Sequence, residues 1–422
     1  MKKSNLLAFG LLAAVSMAAS SPASAAVELG GSNGWKISTD GIVDFFATYA
    51  TTTKGPGAGH SLSLLSVGGN ESKDDQRFGE GIGLLPSVIA FNVKAPTTNG
   101  VDSDVRVGIY PALQNGANGN RFNTAPNIDF REFFYTAKGS CGELLVGRAL
   151  NLYQGKNILT DMTLLSAGVV PGTAFRGNTT LGHIGYGYLY TNFGPQVRYT
   201  TPDFGGTKVA VAIGEPYKIS ADTAKTNSPR VEAEVSYAKT YGGTSVQAWV
   251  SGLYQSATRR DTDEVVSAAV TRVVARKGET NTSLGGAGGI GVGFSGVNLM
   301  VSSYGGKGLG TVSVQDGDFL GSTSTDAAGK ERIHYGFLAQ TTYALTSTVT
   351  AGINYGQSRQ EAGTETPGVS PIKVQEAATT SVTYAFNKFT KFTGEYTYAQ
   401  NTWNDGAKQH SNQFALGTTF FW

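Results

Sequence analysis

From about residue 35 to its end, the chain alternates apolar and polar positions in runs of about 8–14 residues. The last run is the clearest. Phe414, Leu416, Thr418, Phe420 and Trp422 share one face, and Gln413, Ala415, Gly417 and Thr419 share the other, with Phe421 breaking the rule. The same period sets Val246, Ala248, Val250 and Tyr254 against Ser245, Gln247 and Ser251. It recurs in Val209/Val211/Ile213, Val231/Ala233/Val235/Tyr237, Val349/Ala351/Ile353/Tyr355 and Val382/Tyr384/Phe386. A period of two puts each set on its own face of a sheet. The pattern predicts about sixteen strands, over 35–51, 84–95, 101–111, 129–138, 142–149, 192–201, 206–214, 229–240, 243–255, 286–294, 296–304, 331–344, 348–358, 376–387, 389–401 and 411–422.

The joins between these runs alternate short and long. Short ones fall near Pro96–Gly100, Gly139–Cys141, Pro202–Gly205, Tyr241–Gly242, Ser295, Leu345–Ser347 and Lys388. Long, polar, Gly-rich ones cover 52–83, 112–128, 150–191, 215–228, 256–285, 305–330, 359–375 and 402–410. A soluble sandwich has no reason to gather every long loop at one end. A transmembrane barrel has one, with short periplasmic turns and long external loops. In hydrocarbon every unpaired backbone group costs several kcal/mol, so such a sheet must close. The expected fold class is therefore all-β, a transmembrane antiparallel β-barrel of about sixteen strands with both termini on the periplasmic side. A β-helix or multi-sandwich adhesin would show a fixed-period repeat or a linker, and neither is found.

The N-terminus carries a different signal. Lys2 and Lys3 precede an apolar stretch from Leu6 to Ala19, and Ala23-Ser24-Ala25 follows as a small-residue cleavage site. This is the pattern of a secretory signal peptide over 1–25, leaving 26–422 as the barrel domain. No later run reaches the roughly 18 apolar residues of a membrane helix. The composition fits: 40% hydrophobic and 15% charged residues suit a sheet with one face in lipid and one in water. With 33 basic and 31 acidic residues there is no basic excess to attract nucleic acid. The single cysteine, Cys141, cannot support a disulfide framework, and its role is structural or incidental.

Two segments carry a family resemblance. Ile128-Asp129-Phe130-Arg131-Glu132-Phe133-Phe134-Tyr135-Thr136-Ala137-Lys138-Gly139 runs into Gly142-Glu143-Leu144-Leu145-Val146-Gly147-Arg148. This resembles the strand–turn–strand pair of Gram-negative general porins, which ends in Gly-Arg and opens the third external loop. That loop carries Thr-Asp-Met, found here as Thr160-Asp161-Met162, followed by Ser166-Ala167-Gly168. The aromatic C-terminal strand is similar too, although it ends in Trp422 where many porins end in Phe. The resemblance covers about 130–170 and 410–422. It implies a sixteen-stranded outer-membrane barrel, usually a homotrimer, that passes small hydrophilic solutes and ions passively. It also implies that 150–191 folds into the lumen as a constriction loop. Finally, it implies that Phe414, Leu416, Phe420 and Trp422 are read by the barrel-assembly machinery; as an alternative, they are only lipid-facing anchors.

Local strand phase turns Arg106 inward with Gly108 and Tyr110, and Arg198 inward with Gln196 and Thr200. The family pattern places Arg131 and Arg148 inward as well, and then Glu132 should face out or sit at an interface. Four arginines on neighbouring strands would form a basic wall, and permanently charged arginines lining a pore favour anions. The loop opposite holds one acid over 150–180, Asp161, with Lys156 and Arg176 as bases. The expected pore constriction is thus Arg106, Arg131, Arg148, Arg198 and Asp161, with mild anion preference or selectivity for small organic anions. Asp40, Asp44, Glu232, Glu234, Lys391 and Glu395 are further inward candidates, with a solvated lumen face as their plain alternative. Arg259, Arg260, Arg272, Arg276 and Lys277 suit either anionic lipopolysaccharide or a solvated loop.

Nothing points to catalysis. His60, His183, His334 and His410 show no metal-ligand spacing and no identifiable Ser-His pairing. The Gly-rich run Gly285–Gly291 lacks the Lys-Ser/Thr of a phosphate loop and reads as a strand with small lumen-facing residues. No cofactor, metal or enzyme activity is expected. A surface adhesin on a barrel anchor is the alternative from another class.

Overall fold

The computed structural model describes residues 26–66, 73–112, 128–172, 179–217, 224–259, 280–315 and 324–422. The signal peptide predicted over 1–25, Arg176, Arg260, Arg272, Arg276, Lys277 and the side chain of Arg259 lie outside the described residues. No helix among the described residues is long and apolar enough to cross a membrane.

Among the described residues, nineteen strands form one closed antiparallel sheet. They are β1 (Val27–Gly30), β2 (Lys36–Thr52), β3 (Asp75–Gly81), β4 (Val88–Lys94), β5 (Asp102–Pro111), β6 (Ile128–Gly139), β7 (Gly142–Leu150), β8 (Phe193–Thr200), β9 (Thr207–Gly214) and β10 (Ala224–Lys225). They continue as β11 (Arg230–Tyr241), β12 (Thr244–Arg259), β13 (Thr280–Phe294), β14 (Val297–Lys307), β15 (Ile333–Ala344), β16 (Val349–Gln360), β17 (Ile372–Ala385), β18 (Thr390–Trp403) and β19 (Lys408–Phe421). β1 and β10 are short additions, and β3 and β4 are two pieces of one pass against β2, so the wall has sixteen passes. Closure comes from β19 on β2, with Phe421 opposite Ile42 and Ser411 opposite Thr52.

The alternation in the sequence becomes the two faces of the wall. On β2, Val43, Phe45 and Tyr49 are exposed outward, while Ile42, Asp44, Phe46 and Thr48 are buried inward. On β19, Phe414, Leu416 and Phe420 face out and Gln413, Ala415 and Thr419 face in. An apolar outer face with a polar inner one is what lipid outside and water inside require. Several short turns have two successive positive φ angles, at Asn99-Gly100, Gly242-Gly243 and Ser295-Gly296. That geometry matches the right-handed twist of the strands it joins.

The sequence pattern missed one piece of wall. Asp75–Gly81 was expected inside a long loop but forms β3. It hides from a period-two reading because its inward positions include Gly79 and Gly81 and its outward ones include Gln76 and Glu80. Between β3 and β4 the chain leaves the ladder. The Leu84 and Leu85 amides instead donate to the carbonyls of Ser166 and Leu164, at 2.9 and 3.0 Å. Backbone donors lost from the wall are thus recovered by the segment inside the barrel.

Candidate functional site in the lumen

Residues 151–172 and 179–191 follow β7 and lie inside the barrel, where wall side chains hold them at successive points. At the root, the Glu232 carboxylate accepts the amides of Leu152 and Tyr153 at 2.8 and 3.2 Å. Arg230 lies 3.0 Å from Glu232 and donates to Asn151 Oδ1 at 2.6 Å. A short helix, Gly155–Leu159, follows. There Asn157 Oδ1 accepts the indole N–H of Trp249 at 2.9 Å. Trp249 lies against Gly289, where a Cβ would come within 2.4 Å of its ring, and Gly285 leaves similar room for the Tyr153 hydroxyl. The glycine run of β13 is a docking bed for this segment.

Further along, Gln340 accepts the Met162 amide at 3.0 Å and donates to Thr160 O at 2.7 Å. At the tip, Glu395 accepts the Ser166 hydroxyl at 2.6 Å and the amides of Ala167 and Gly168 at 2.8 and 3.1 Å. Gln413 exchanges two hydrogen bonds with the backbone of Val170, both 2.8 Å. Asp44 accepts the Gly83 amide at 2.5 Å and the Ser87 hydroxyl at 2.6 Å, fixing the gap in the wall beneath the tip. An apolar cluster fills the space between: Leu164, Val169, Leu181, Ile184 and Leu189 pack with Leu338, Ala377 and Ala399 of the wall. The segment is therefore bonded and packed along the arc from β11 to β19.

The expected constriction residues are placed unequally. Arg106 faces inward, but it is not bare. Its guanidinium reaches Asp40 Oδ2 at 2.9 Å, Glu132 Oε2 at 2.8 Å and Asn92 Oδ1 at 3.1 Å. Arg131 lies over the buried Tyr110 ring at 5.4 Å and pairs with Asp129 at 3.0 Å. Glu132, expected to face out or sit at an interface, faces in. One extra residue of β6 sits opposite Gly108–Tyr110, and this bulge turns both Arg131 and Glu132 to the lumen between the outward Phe130 and Phe133. Arg198 is inward and buried, with its Nε unpartnered and one long bond, 3.4 Å, to Leu150 O.

The other two expected residues are Arg148 and Asp161. Arg148 is paired with Phe133 and Pro195 in the ladder, follows Gly147 at φ +133°, and has its Nε buried without a partner among the described residues. Asp161 does not present its charge to the lumen. It is buried, and it accepts the amides of Thr163 and His183 and the Tyr188 hydroxyl, at 2.9, 3.2 and 2.6 Å. Burial first, and then the Asp161 carboxylate, pushes the Tyr188 hydroxyl well above its ordinary value, so it remains a donor.

Of the other inward candidates, Asp40, Asp44, Glu232 and Glu395 are spent on these contacts. Lys391 lies over the Phe421 ring at 5.4 Å. Among the described residues, no group of three His, Cys, Asp or Glu could hold a metal. His60 pairs with Asp405 at 2.7 Å in the outer loops, His183 is buried against Thr379, His334 is buried in β15, and His410 stacks on Tyr398. Cys141 is an exposed free thiol in a turn. Phe414, Leu416 and Phe420 face outward, while the Trp422 ring lies against Gly41. Sequence reasoning missed Trp249, Gln340, Gln413 and Asn92, neutral side chains whose only signal was an inward phase.

A family model described as Gram-negative porin matches residues 11–402. No curated protein matches the chain by sequence. Among solved structures, the outer membrane channel DcaP of Acinetobacter baumannii is similar at a TM-score of 0.62 and 15% identity, over 93% of this chain and 99% of that one. The anion-selective porin from Comamonas acidovorans is similar at a TM-score of 0.59 and 14% identity, over 92% and 100%. OmpF of Salmonella typhi, in complex with daunomycin, is similar at 0.53 and 15%, over 94% and 100%.

Proposed function

The chain belongs to the Gram-negative porin family, and from that premise we propose that it is a passive outer-membrane diffusion channel for small hydrophilic solutes and ions, with a mild preference for anions. One asymmetry carries the preference. The acid of the inserted segment, Asp161, is enclosed by its own donors, whereas Lys391 of the wall has no ion-pair partner among the described residues, and Arg198 and Lys156, also without ion pairs, are set against Glu143 and Glu234. Uncompensated cations in a water-filled lumen with low-dielectric walls raise the local concentration of anions. The preference is mild because Arg106 is offset by Asp40 and Glu132, and Arg131 by Asp129. The likeness to the anion-selective Comamonas porin supports the same reading.

Planar-bilayer recording of the purified protein tests this. Stepwise conductance with a modest anion-side reversal potential in a salt gradient is the expected result. A clear cation preference would overturn the selectivity, and absence of conductance would favour the adhesin reading. Solute flux linear in concentration would mark a general pore, and saturable flux of organic anions a substrate-specific one. We further propose a homotrimer, in line with the trimer form of OmpT of Vibrio cholerae among similar structures. The outward Phe414, Leu416 and Phe420, with Trp422, would serve as the assembly signal, and the outer loops would meet lipopolysaccharide. Unchanged assembly after deletion of Trp422 would leave those residues as lipid anchors alone.

A further inference from the structure

Beside the root of the inserted segment, the inner wall carries opposed charges that do not touch. Arg198 on β8 stands opposite Ala212 on β9, which stands opposite Glu232 on β11. One pleat toward the periplasm, Glu143, Thr200, Ala210 and Glu234 form the next row across the same strands. Adjacent strands lie about 4.8 Å apart, so the alanines floor a groove about 10 Å wide between the β8 and β11 backbones. Leu152 packs on those alanines at its upper end.

Arg198 is 8% exposed and Glu234 7%. The Arg198 Nε has no acceptor, and the Glu234 carboxylate has neither a hydrogen bond nor an ion pair among the described residues. The Ser251 hydroxyl beside Glu234 is also buried and unpartnered. Buried polar groups in folded proteins nearly always have partners, so a group of this kind marks a place for one. The charges of Glu143, Glu234 and Glu232 act on Arg198, and those of Lys156 and Arg198 act on Glu234. Glu232 is already matched by Arg230. What remains is two cations, Arg198 and Lys156, against two carboxylates, Glu143 and Glu234.

We propose that this groove is a binding subsite for zwitterionic solutes of amino-acid size. The solute carboxylate sits on the Arg198 guanidinium, with Lys156 beside it, and its ammonium sits against Glu234. A simple anion entering here meets Glu143 and Glu234, and a simple cation meets Arg198 and Lys156. Only a dipolar solute satisfies both ends, through charge-assisted hydrogen bonds at each. The inference rests on the channel reading and adds to it a preferred solute.

The test measures flux of glycine, acetate and methylammonium through the purified full-length protein in liposomes, with ion conductance recorded in parallel. Glycine flux should saturate while acetate and methylammonium stay linear over the same range. R198Q and E234Q should each raise the half-saturating glycine concentration at least fivefold. The charge-swapped pair R198E/E234R should recover part of the saturation, because a zwitterion can bind reversed. Acetate saturating as glycine does would make this an anion site on Arg198 and overturn the proposal. Linear glycine flux in a conducting wild-type channel would overturn it and leave the channel reading standing. Absence of conductance in wild-type protein would remove both. The wild-type solute comparison decides even if a variant fails to assemble.

Discussion

The arc of inner wall from β5 to β9 and the arc from β11 to β19 use polar side chains in opposite ways. On the first, charges pair sideways within the sheet, as Arg106 does with Asp40 and Glu132 across β2, β5 and β6. On the second, they reach inward and bind backbone, as Glu395 does with Ala167 and Gly168 and Gln413 does with Val170. The difference follows from what each arc faces. Backbone brought into a lumen carries donors and acceptors that must be met, and the arc beneath it supplies them. An arc facing open water has no such demand, and around Arg106 its charges neutralise one another. Charge lining a barrel is therefore a poor guide to the field in the pore until its partners are known.

The sharpest way to break the contrast is to remove the bed on which the inserted segment rests. Trp249→Ala deletes a buried ring and orphans Asn157 Oδ1. Large-to-small changes of this kind cost about 3–5 kcal/mol. We expect a clearly lowered unfolding temperature in detergent, together with larger and noisier single-channel currents. A stable, quiet channel would mean that the segment is held from elsewhere. Glu395→Gln should cost less, about 1–3 kcal/mol, because the amide keeps one acceptor for three donors. Its effect should show as tip motion, read as current noise, with the unfolding temperature little moved.

Much of the wall was legible in the sequence because a barrel repeats one rule in every strand. β12, β16 and β19 alternate so regularly that their faces follow from side-chain type alone. The inserted segment was legible only through its likeness to a known family, since nothing local in Thr160-Asp161-Met162 says that it lies in a lumen. What failed were charges whose direction depends on a backbone detail. The bulge in β6 turns Arg131 and Glu132 to the same side, and no period-two reading allows that. Asp161 failed because a carboxylate's freedom depends on donors such as His183 and Tyr188, more than twenty residues away along the chain.

A smaller effect sharpens the electrostatic side of the comparison. Arg106→Gln removes the cation from between Asp40 and Glu132 and leaves two carboxylates at that height of the lumen. The reversal potential should move toward cations. Asp40→Asn with Glu132→Gln should move it toward anions. No movement in either variant would mean that permeating ions pass along another part of the lumen. Both shifts should be modest, because Arg198, Lys156 and Lys391 are untouched.

The smallest effect belongs to the outer mouth, where the two long loops near His60 and Asp405 meet. The Ala407 amide donates to Asp405 Oδ1 at 3.0 Å, and His60 Nε2 lies 2.7 Å from Oδ2. The Ala407 bond first, and His60 next, hold the Asp405 carboxyl below its usual value. A group with a depressed folded value contributes stability above its unfolded value, near 3.9, and loses that contribution as pH falls through the folded value. The contact should therefore persist from neutral pH to about 4 and weaken only below it. Because Asp405 is half exposed, solvent screens the pair and the contribution is small. Protease nicking of the 402–407 segment, followed from pH 7 to pH 3, should rise only at the acid end. In Asp405→Asn it should be slightly raised at neutral pH and lack the acid step. An acid step that survives in that variant would place the titrating group on the other arc of the mouth.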